Sequence, residues 1–531
     1  MPDTDDRPRG VVPARGDASR RTPVRGTDGS DKAMQGRRAA GFPPRRPVQA
    51  RCNLASAGDL GMIPARLRAI GVVVASSLLV LAGCADTPSA PAAAWPQRPV
   101  VRLAFDVAPD LRSVAGRETV SLTLGRRVCE LVFRAWPNKP SAARAGNQLE
   151  VTGAIVDGRH VQPRVLPAGA PDGVPGTLVE LPLPQCVPAG EGIRAELDFA
   201  LRLGENADER LGVSPETGTA WFGSGFPLLA WVRGQGWARE DAVDIAGETA
   251  TSEVFRLSDL TVSVPDGMRV AGTGQAQGER PGPRAGTRTH RFSADAVRDV
   301  AVAVGRYEVL ERDITGTRLH LFTPVDGTRV EPEQWAGELD RALQRLTGRF
   351  GRFPYPDLWV AIAPAQSSGI EFPGALQFGD TRPENLTGLA THELAHQWFY
   401  GLVGGNQARD PWLDEAFASY AEASLGGATD RSYYDLEAIP DRVRGDLGDP
   451  MAEWGDRGFG TYYQGVYRQG AAALLAARAQ AGPDRFDAAL RGHIARHAHA
   501  VTRPADVAAA FDDLPDVLDL LRRYGALPPA G

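Results

Sequence analysis

Lysine is almost missing from this chain. Only Lys32 and Lys139 occur, so arginine supplies nearly all of the 59 positive side chains. The accompanying wealth of Ala, Gly and Pro points to a GC-rich gene rather than to function. Cysteine is also scarce, at 4, and histidine, at 8, so neither a disulfide-rich scaffold nor a Cys/His zinc-finger array is available. No apolar run approaches the roughly 20 residues needed to cross a bilayer comfortably. No internal repeat and no phosphate-binding glycine loop is found, which excludes a solenoid and a nucleotide cradle. A basic stripe is missing as well. Residues 1–83 hold 14 Lys+Arg and 7 Asp+Glu, a balance of +7; the rest holds 45 against 58, a balance of −13. An acidic body without a basic face argues against nucleic acid as a partner.

At 531 residues the chain is too long for one ordinary core, and two or three domains are expected. Residues 1–61 are rich in Arg, Pro, Gly and Asp and show no hydrophobic period, so they read as a disordered leader. At Met62 the text changes. Arg66 and Arg68 form a basic region, and Ile70 to Leu81 an apolar one, as in a signal peptide spanning 62–83. Such a signal belongs at the start of a chain, so Met62 is the expected initiator and residues 1–61 a start-site misassignment. Leu81-Ala82-Gly83-Cys84 is similar to a bacterial lipobox, which would make Cys84 the lipidated first residue. A Ser/Ala/Pro linker follows, over 84–98.

From 99 to 310 the period is mostly two, as in VVRLAFDV, ETVSLTL, IRAELDFALRL and DLTVSVP. Turn-forming clusters separate these pieces, which predicts an antiparallel β-sandwich. Trp221, Trp231 and Trp237 read as a packed aromatic cluster, first as core and second as a substrate wall. Cys129 and Cys186 lie in strand-like text of an apparently exported body, where a disulfide is permissible; two separate buried thiols are the equal alternative.

Near residue 311 the period changes to helical. Trp335, Leu339, Leu343, Leu346 and Phe350 recur at helical spacing. DLWVAIAP reads as a buried strand and SSGIEFPGALQF as an edge strand. Against the general poverty in histidine, HELAHQW carries two, His392 and His396, with Glu393 between them. On a helix, residues four apart share a face, so both imidazoles can reach one ion. A chance match in so His-poor a chain has odds on the order of one per cent. The motif helix is expected over 386–403. Eighteen residues separate His396 from Glu415, which opens a second helical stretch, Trp412 to Leu425, with Asp410 and Pro411 as its expected cap and first helical residue. Two His and one carboxylate are a catalytic zinc set that leaves a position open for water. Glu393 faces elsewhere and is free to act as base on that water. His493 and His497 are also four apart, but no partner flanks them, and a solvated helix face is expected.

HELAHQW, eighteen residues, then Glu415 in WLDEAF resembles the aminopeptidase N family of gluzincin zinc metallopeptidases, in particular its bacterial, lipoprotein-type members. The resemblance covers about residues 100–531, without the large carboxy-terminal helical domain of many relatives. It implies a multidomain α+β fold: a β-sandwich at 99–310, then a thermolysin-like catalytic domain at 311–531 with a mainly helical end. It implies one zinc held by His392, His396 and Glu415, with Glu393 as base. Tyr467 in VYRQGA would donate to the oxyanion. Gly369 and Glu371 in SGIEFPG would bind substrate, Glu371 through its α-amino group. The chain departs from the pattern in places. Tyr400-Gly401 stands where many relatives have Gly-Asn, and the second amine-binding acid of the β-domain has no counterpart. The expectation is therefore an exported, membrane-tethered aminopeptidase acting on peptides. A zinc endopeptidase and a non-catalytic peptide-binding lipoprotein are its rivals.

Overall fold

The computed structural model describes residues 92–249, 253–426 and 431–529. The leader, the signal-like segment and Cys84 lie outside these residues. No helix among the described residues is long and apolar enough to cross a membrane.

Strands come first because the period of two is real burial. In Val100–Val107 the side chains of Val101, Leu103, Phe105 and Val107 are buried while Arg102 and Ala104 face out. Gly192–Arg202 repeats this with Ile193, Ala195, Leu197, Phe199 and Leu201 inward. One-sided sheets need that alternation. Both strands belong to an eight-stranded sheet that also holds Ser113–Thr123, Gln148–Val156, Phe255–Pro265 and Thr287–Val297. Two four-stranded sheets share its core, where Phe105 meets Phe199 and Phe222 edge-on at 6.0 and 5.2 Å. The sheet is not wholly antiparallel. Val100–Val107 runs parallel to Phe255–Pro265. The chain leaves after Arg202 to build strands of the smaller sheets and returns on the far side of its first strand. Such a long return permits a parallel neighbour, which a hairpin cannot supply.

Cys129 and Cys186 are joined by a disulfide, with Cα atoms 4.0 Å apart, so the alternative of separate thiols does not hold. Trp221 is fully buried, and Trp231 stacks edge-on with Trp237 at 4.9 Å.

The next sheet has five strands in the order Tyr307–Ile314, Thr317–Pro324, Asp357–Ile362, Ala375–Phe378, Gly369–Phe372. Gly369–Phe372 is thus an edge strand. The helix Pro332–Phe350 starts at a proline and ends at Gly351, whose φ of 102° suits only glycine. Its stripe of Trp335, Leu339, Leu343, Leu346 and Phe350 is buried against this sheet and the two motif-bearing helices in one core. The remainder of the chain is mainly helical. His493 and His497 have ring centroids 4.8 Å apart, and among the described residues they are not part of any group of three metal-type ligands.

Candidate zinc site

The motif helix, Leu386–Ala395, is buried along most of its length. It lies against Trp412–Leu425, a helix that is itself buried along most of its length. That close approach brings Glu415 to the two histidines. Its Oε2 lies 3.2 Å from His392 Nε2 and 3.6 Å from His396 Nε2. One ligand atom from each of the three residues lies within 4.8 Å of the other two.

Both helix ends differ from expectation. The motif helix stops at Ala395 rather than near residue 403, and His396 is its cap. Beyond it the winding widens: the amides of Gly401, Leu402 and Val403 bond to carbonyls five residues back. Tyr400 sits in this wide turn at φ 119°, a strained value for a side chain of its size. Its hydroxyl reaches Asp299 at 3.4 Å. At the second helix Pro411 is the cap itself, and Asp410 contributes no side-chain bond.

Each histidine has its other nitrogen held by a carboxylate. Glu422 Oε2 is 3.2 Å from His392 Nδ1, and Asp414 Oδ1 is 2.6 Å from His396 Nδ1. Gln407 in turn donates to Asp414 at 2.8 Å. Such outer carboxylates fix ring orientation and raise the basicity of a ligand. The cluster is short of positive charge. Burial opposes protonation of His392, yet its bonds to Glu415 and Glu422 push its pKa up to about 10. Burial opposes it at His396 too, and Asp414 with Glu415 still drives the value well up. Burial would raise Glu415, but His396 and His392 hold it below the ordinary carboxylate range. A site that draws protons so strongly onto two imidazoles fits a dication bound by the same atoms. The donor set of two imidazoles and one carboxylate is that of one zinc ion.

Glu393 is the group left over. Its Oε2 is buried and has no hydrogen-bond partner. Burial pushes its carboxyl up to about 8; His392 and His396 oppose the rise, while Glu371 and Glu415 add to it. It approaches the edge strand at Gly369, where any Cβ would stand 2.4 Å from Glu393 Cγ. Gly369 is therefore needed because nothing larger leaves room for the base.

Glu371 lies on the same edge strand, with a carboxylate oxygen grouped with Glu393 and His396 inside 4.8 Å. It is not a free carboxylate. Arg210, itself buried, pairs with its Oε1 at 2.8 Å and stacks over the Phe372 ring at 4.9 Å. Tyr467 lies on a π-helical turn, Tyr463–Arg468, of the kind that often marks a functional position. Its ring is parallel to that of His392 at 5.9 Å, and its hydroxyl donates to Glu248 Oε1 at 2.9 Å.

Sequence reasoning missed four residues here: Asp414, Glu422, Arg210 and Glu248. The first two carried a signal. Asp414 precedes Glu415, and Glu422 follows it by seven, two helical turns along one face. Arg210 and Glu248 lie in text without period, and only the fold brings them in. A buried chain of charges does so. Lys139 pairs with Glu209 at 2.7 Å and donates to the Ile245 carbonyl at 2.8 Å. Arg210 pairs with Glu371 and also donates to the Gly247 carbonyl.

Residues 377–445 match the family described as the Peptidase family M1 domain. Aminopeptidase N of Streptomyces lividans is 29% identical over 144 residues, 23% of this chain and 16% of that protein. Aminopeptidase M1-B of rice is 25% identical over 243 residues, 40% of this chain and 27% of that protein. The chain thus spans less than a third of the length of these curated relatives. Among solved structures, an M1 zinc metallopeptidase from Deinococcus radiodurans superposes with a TM-score of 0.60 at 20% identity, covering 81% of this chain and 92% of that one. A mutant of that protein bound to a Tyr-Ser-Ala substrate gives the same score, with 81% and 94% covered. The stretch that carries His392, His396 and Glu415 is thus similar to the M1 peptidase domain, and the fold is similar to that of an M1 zinc metallopeptidase.

Proposed function

We propose that this protein is a zinc aminopeptidase that removes amino-terminal residues from peptides. The observation that carries the reading is the unpartnered, buried Glu393 carboxylate beside the convergent His392, His396 and Glu415. A module that only bound peptide would have no use for an isolated base there. When bound, zinc supplies an acidified water and polarises the scissile carbonyl. Glu393 takes the proton from that water and later hands it to the leaving amine. Tyr467, whose hydroxyl lies on Glu248, takes the role of donor to the oxyanion once that bond is exchanged. The edge strand Gly369–Phe372 is where an extended peptide can align by strand addition. Glu371 takes the substrate α-ammonium group. The test is hydrolysis of an aminoacyl anilide by zinc-loaded protein, beside the same substrate acetylated at its amine. Cleavage of the free form alone supports the reading; cleavage of neither overturns it.

One observation favours the endopeptidase alternative. Arg210 already neutralises Glu371, so an uncharged mid-chain peptide would not leave that carboxylate bare. Equal cleavage of free and acetylated substrates would establish this alternative.

For location we propose export and lipid attachment at Cys84, at the outer face of the cytoplasmic membrane. The disulfide between Cys129 and Cys186 supports an oxidising compartment. Mass spectrometry of the mature amino terminus tests the anchor, and an unmodified Cys84 behind an intact leader rules it out.

A further inference from the structure

Glu371 is paired with Arg210, whereas Glu248 makes no ion pair among the described residues and Arg210 acts on it only from a distance. Glu248 Oε1 accepts from the hydroxyls of Tyr467 at 2.9 Å and Tyr462 at 3.2 Å. Among the described residues nothing donates to its Oε2, and no cationic side chain pairs with it. The residue is nevertheless 8% exposed. Its segment is fixed from both sides. Lys139 holds the Ile245 carbonyl at 2.8 Å, Glu209 accepts from the Gly247 amide at 3.1 Å, and Gln407 accepts from the Thr249 amide at 3.0 Å. Gln407 is the residue that also braces Asp414, behind His396. Glu248 is therefore held in a set place relative to the zinc ligands, beside Tyr467, with one carboxylate oxygen unused.

A tyrosine hydroxyl has a single hydrogen to donate. While Tyr467 gives it to Glu248, it has none for an oxyanion. We propose that Glu248 parks the Tyr467 hydroxyl in the free protein and that the substrate's α-ammonium group, held by Glu371, pairs with Glu248 through another of its N–H groups and so releases the hydroxyl for catalysis. Glu248 then determines specificity through turnover as well as binding. A peptide with a free amine frees the oxyanion donor as it binds, and a blocked or mid-chain peptide leaves it parked. The proposal rests on the aminopeptidase reading above and adds the partner exchange to it.

Two substitutions separate the exchange from a structural role. Glu248→Gln keeps an oxygen that accepts from Tyr467 but cannot ionise to pair with ammonium. Glu248→Ala removes both. For an acetylated aminoacyl anilide, Glu248→Ala is expected to raise kcat about tenfold over wild type, the worth of one hydrogen bond to a charged group. Glu248→Gln should leave that kcat low. For the free-amine substrate, both variants should raise KM, and Glu248→Gln should also lower kcat. Glu248→Ala combined with Tyr467→Phe should lose the gain on the acetylated substrate. Parallel losses on both substrates in both variants, with melting temperature unchanged, would overturn the exchange. So would a Glu248→Ala variant that stays folded and shows no gain. If wild type cleaves neither substrate, the aminopeptidase reading fails first, which is a distinct result.

Discussion

Replacing Gly369 with alanine should disable the protein through one methyl group. The backbone at Gly369 is ordinary strand, so alanine brings no φ strain. The new Cβ would stand 2.4 Å from Glu393 Cγ, 2.5 Å from Cδ and 2.6 Å from Oε1. Carbon atoms rest at about 3.5 Å or more, so the carboxylate must retreat by roughly 1 Å. Misplacing a reacting group by that much costs about a hundredfold in rate, or roughly 2.7 kcal/mol of barrier. The assay is kcat on an aminoacyl anilide, run beside zinc content and melting temperature, both of which should hold. Glu393→Ala provides the cross-check, since it removes Cγ, Cδ and Oε1 and vacates the contested space. Adding Gly369→Ala to Glu393→Ala should then lower the residual turnover much less than adding it to wild type does, a coupling that a double-mutant cycle measures. Near-normal turnover in Gly369→Ala would refute the placement of Glu393 as base. Equal costs in both backgrounds would show that the damage comes from elsewhere.

Asp414→Asn should weaken zinc binding by about 10- to 100-fold, read by competition with a chelating dye; unchanged affinity would dismiss its support of His396. Lys139→Met strands the buried Glu209 carboxylate and should destabilise the protein by about 3–5 kcal/mol, measured by urea unfolding; a neutral result would mean the pair contributes nothing. Glu118 lies fully buried in the sandwich with both carboxylate oxygens unpartnered, and burial drives its pKa well above 4.5. A raised carboxyl keeps its proton in the folded state while the unfolded chain loses it, so stability falls as pH rises past about 4.5, by up to about 1.4 kcal/mol per pH unit. Glu118→Gln should flatten that dependence between pH 5 and 8; identical slopes in variant and wild type would sink the assignment.

Much of the site could be read before any coordinates. His392, His396 and Glu415 obey fixed helical spacings, and spacing is visible in a string of letters. The alternation in Val100–Val107 and the stripe from Trp335 to Phe350 were legible for the same reason. Arg210 was not. Its partner Glu371 lies 161 residues away, on another sheet, and no local period marks either of them as one of a pair. Glu248 sits in irregular text whose place depends on Lys139 and Arg210. The parallel neighbour of Val100–Val107 was hidden too, because residue alternation does not encode strand direction. The widened turn at Tyr400 was invisible because a tyrosine there gives no hint that its backbone adopts a φ better suited to glycine.

The only lysine of the described body, Lys139, is 1% exposed, and burial holds its pKa below the ordinary value although Glu209 opposes the fall. Amine-selective labels and lysine-directed crosslinkers consequently have no lysine on the surface of this body to attack. The one lysine amine of this body becomes available only when Ile245 and Glu209 let go of it, which is when the segment carrying Glu248 comes loose. Uptake of one acyl group at Lys139, followed over time by mass spectrometry, would thus clock the opening of that segment directly, without any engineered probe.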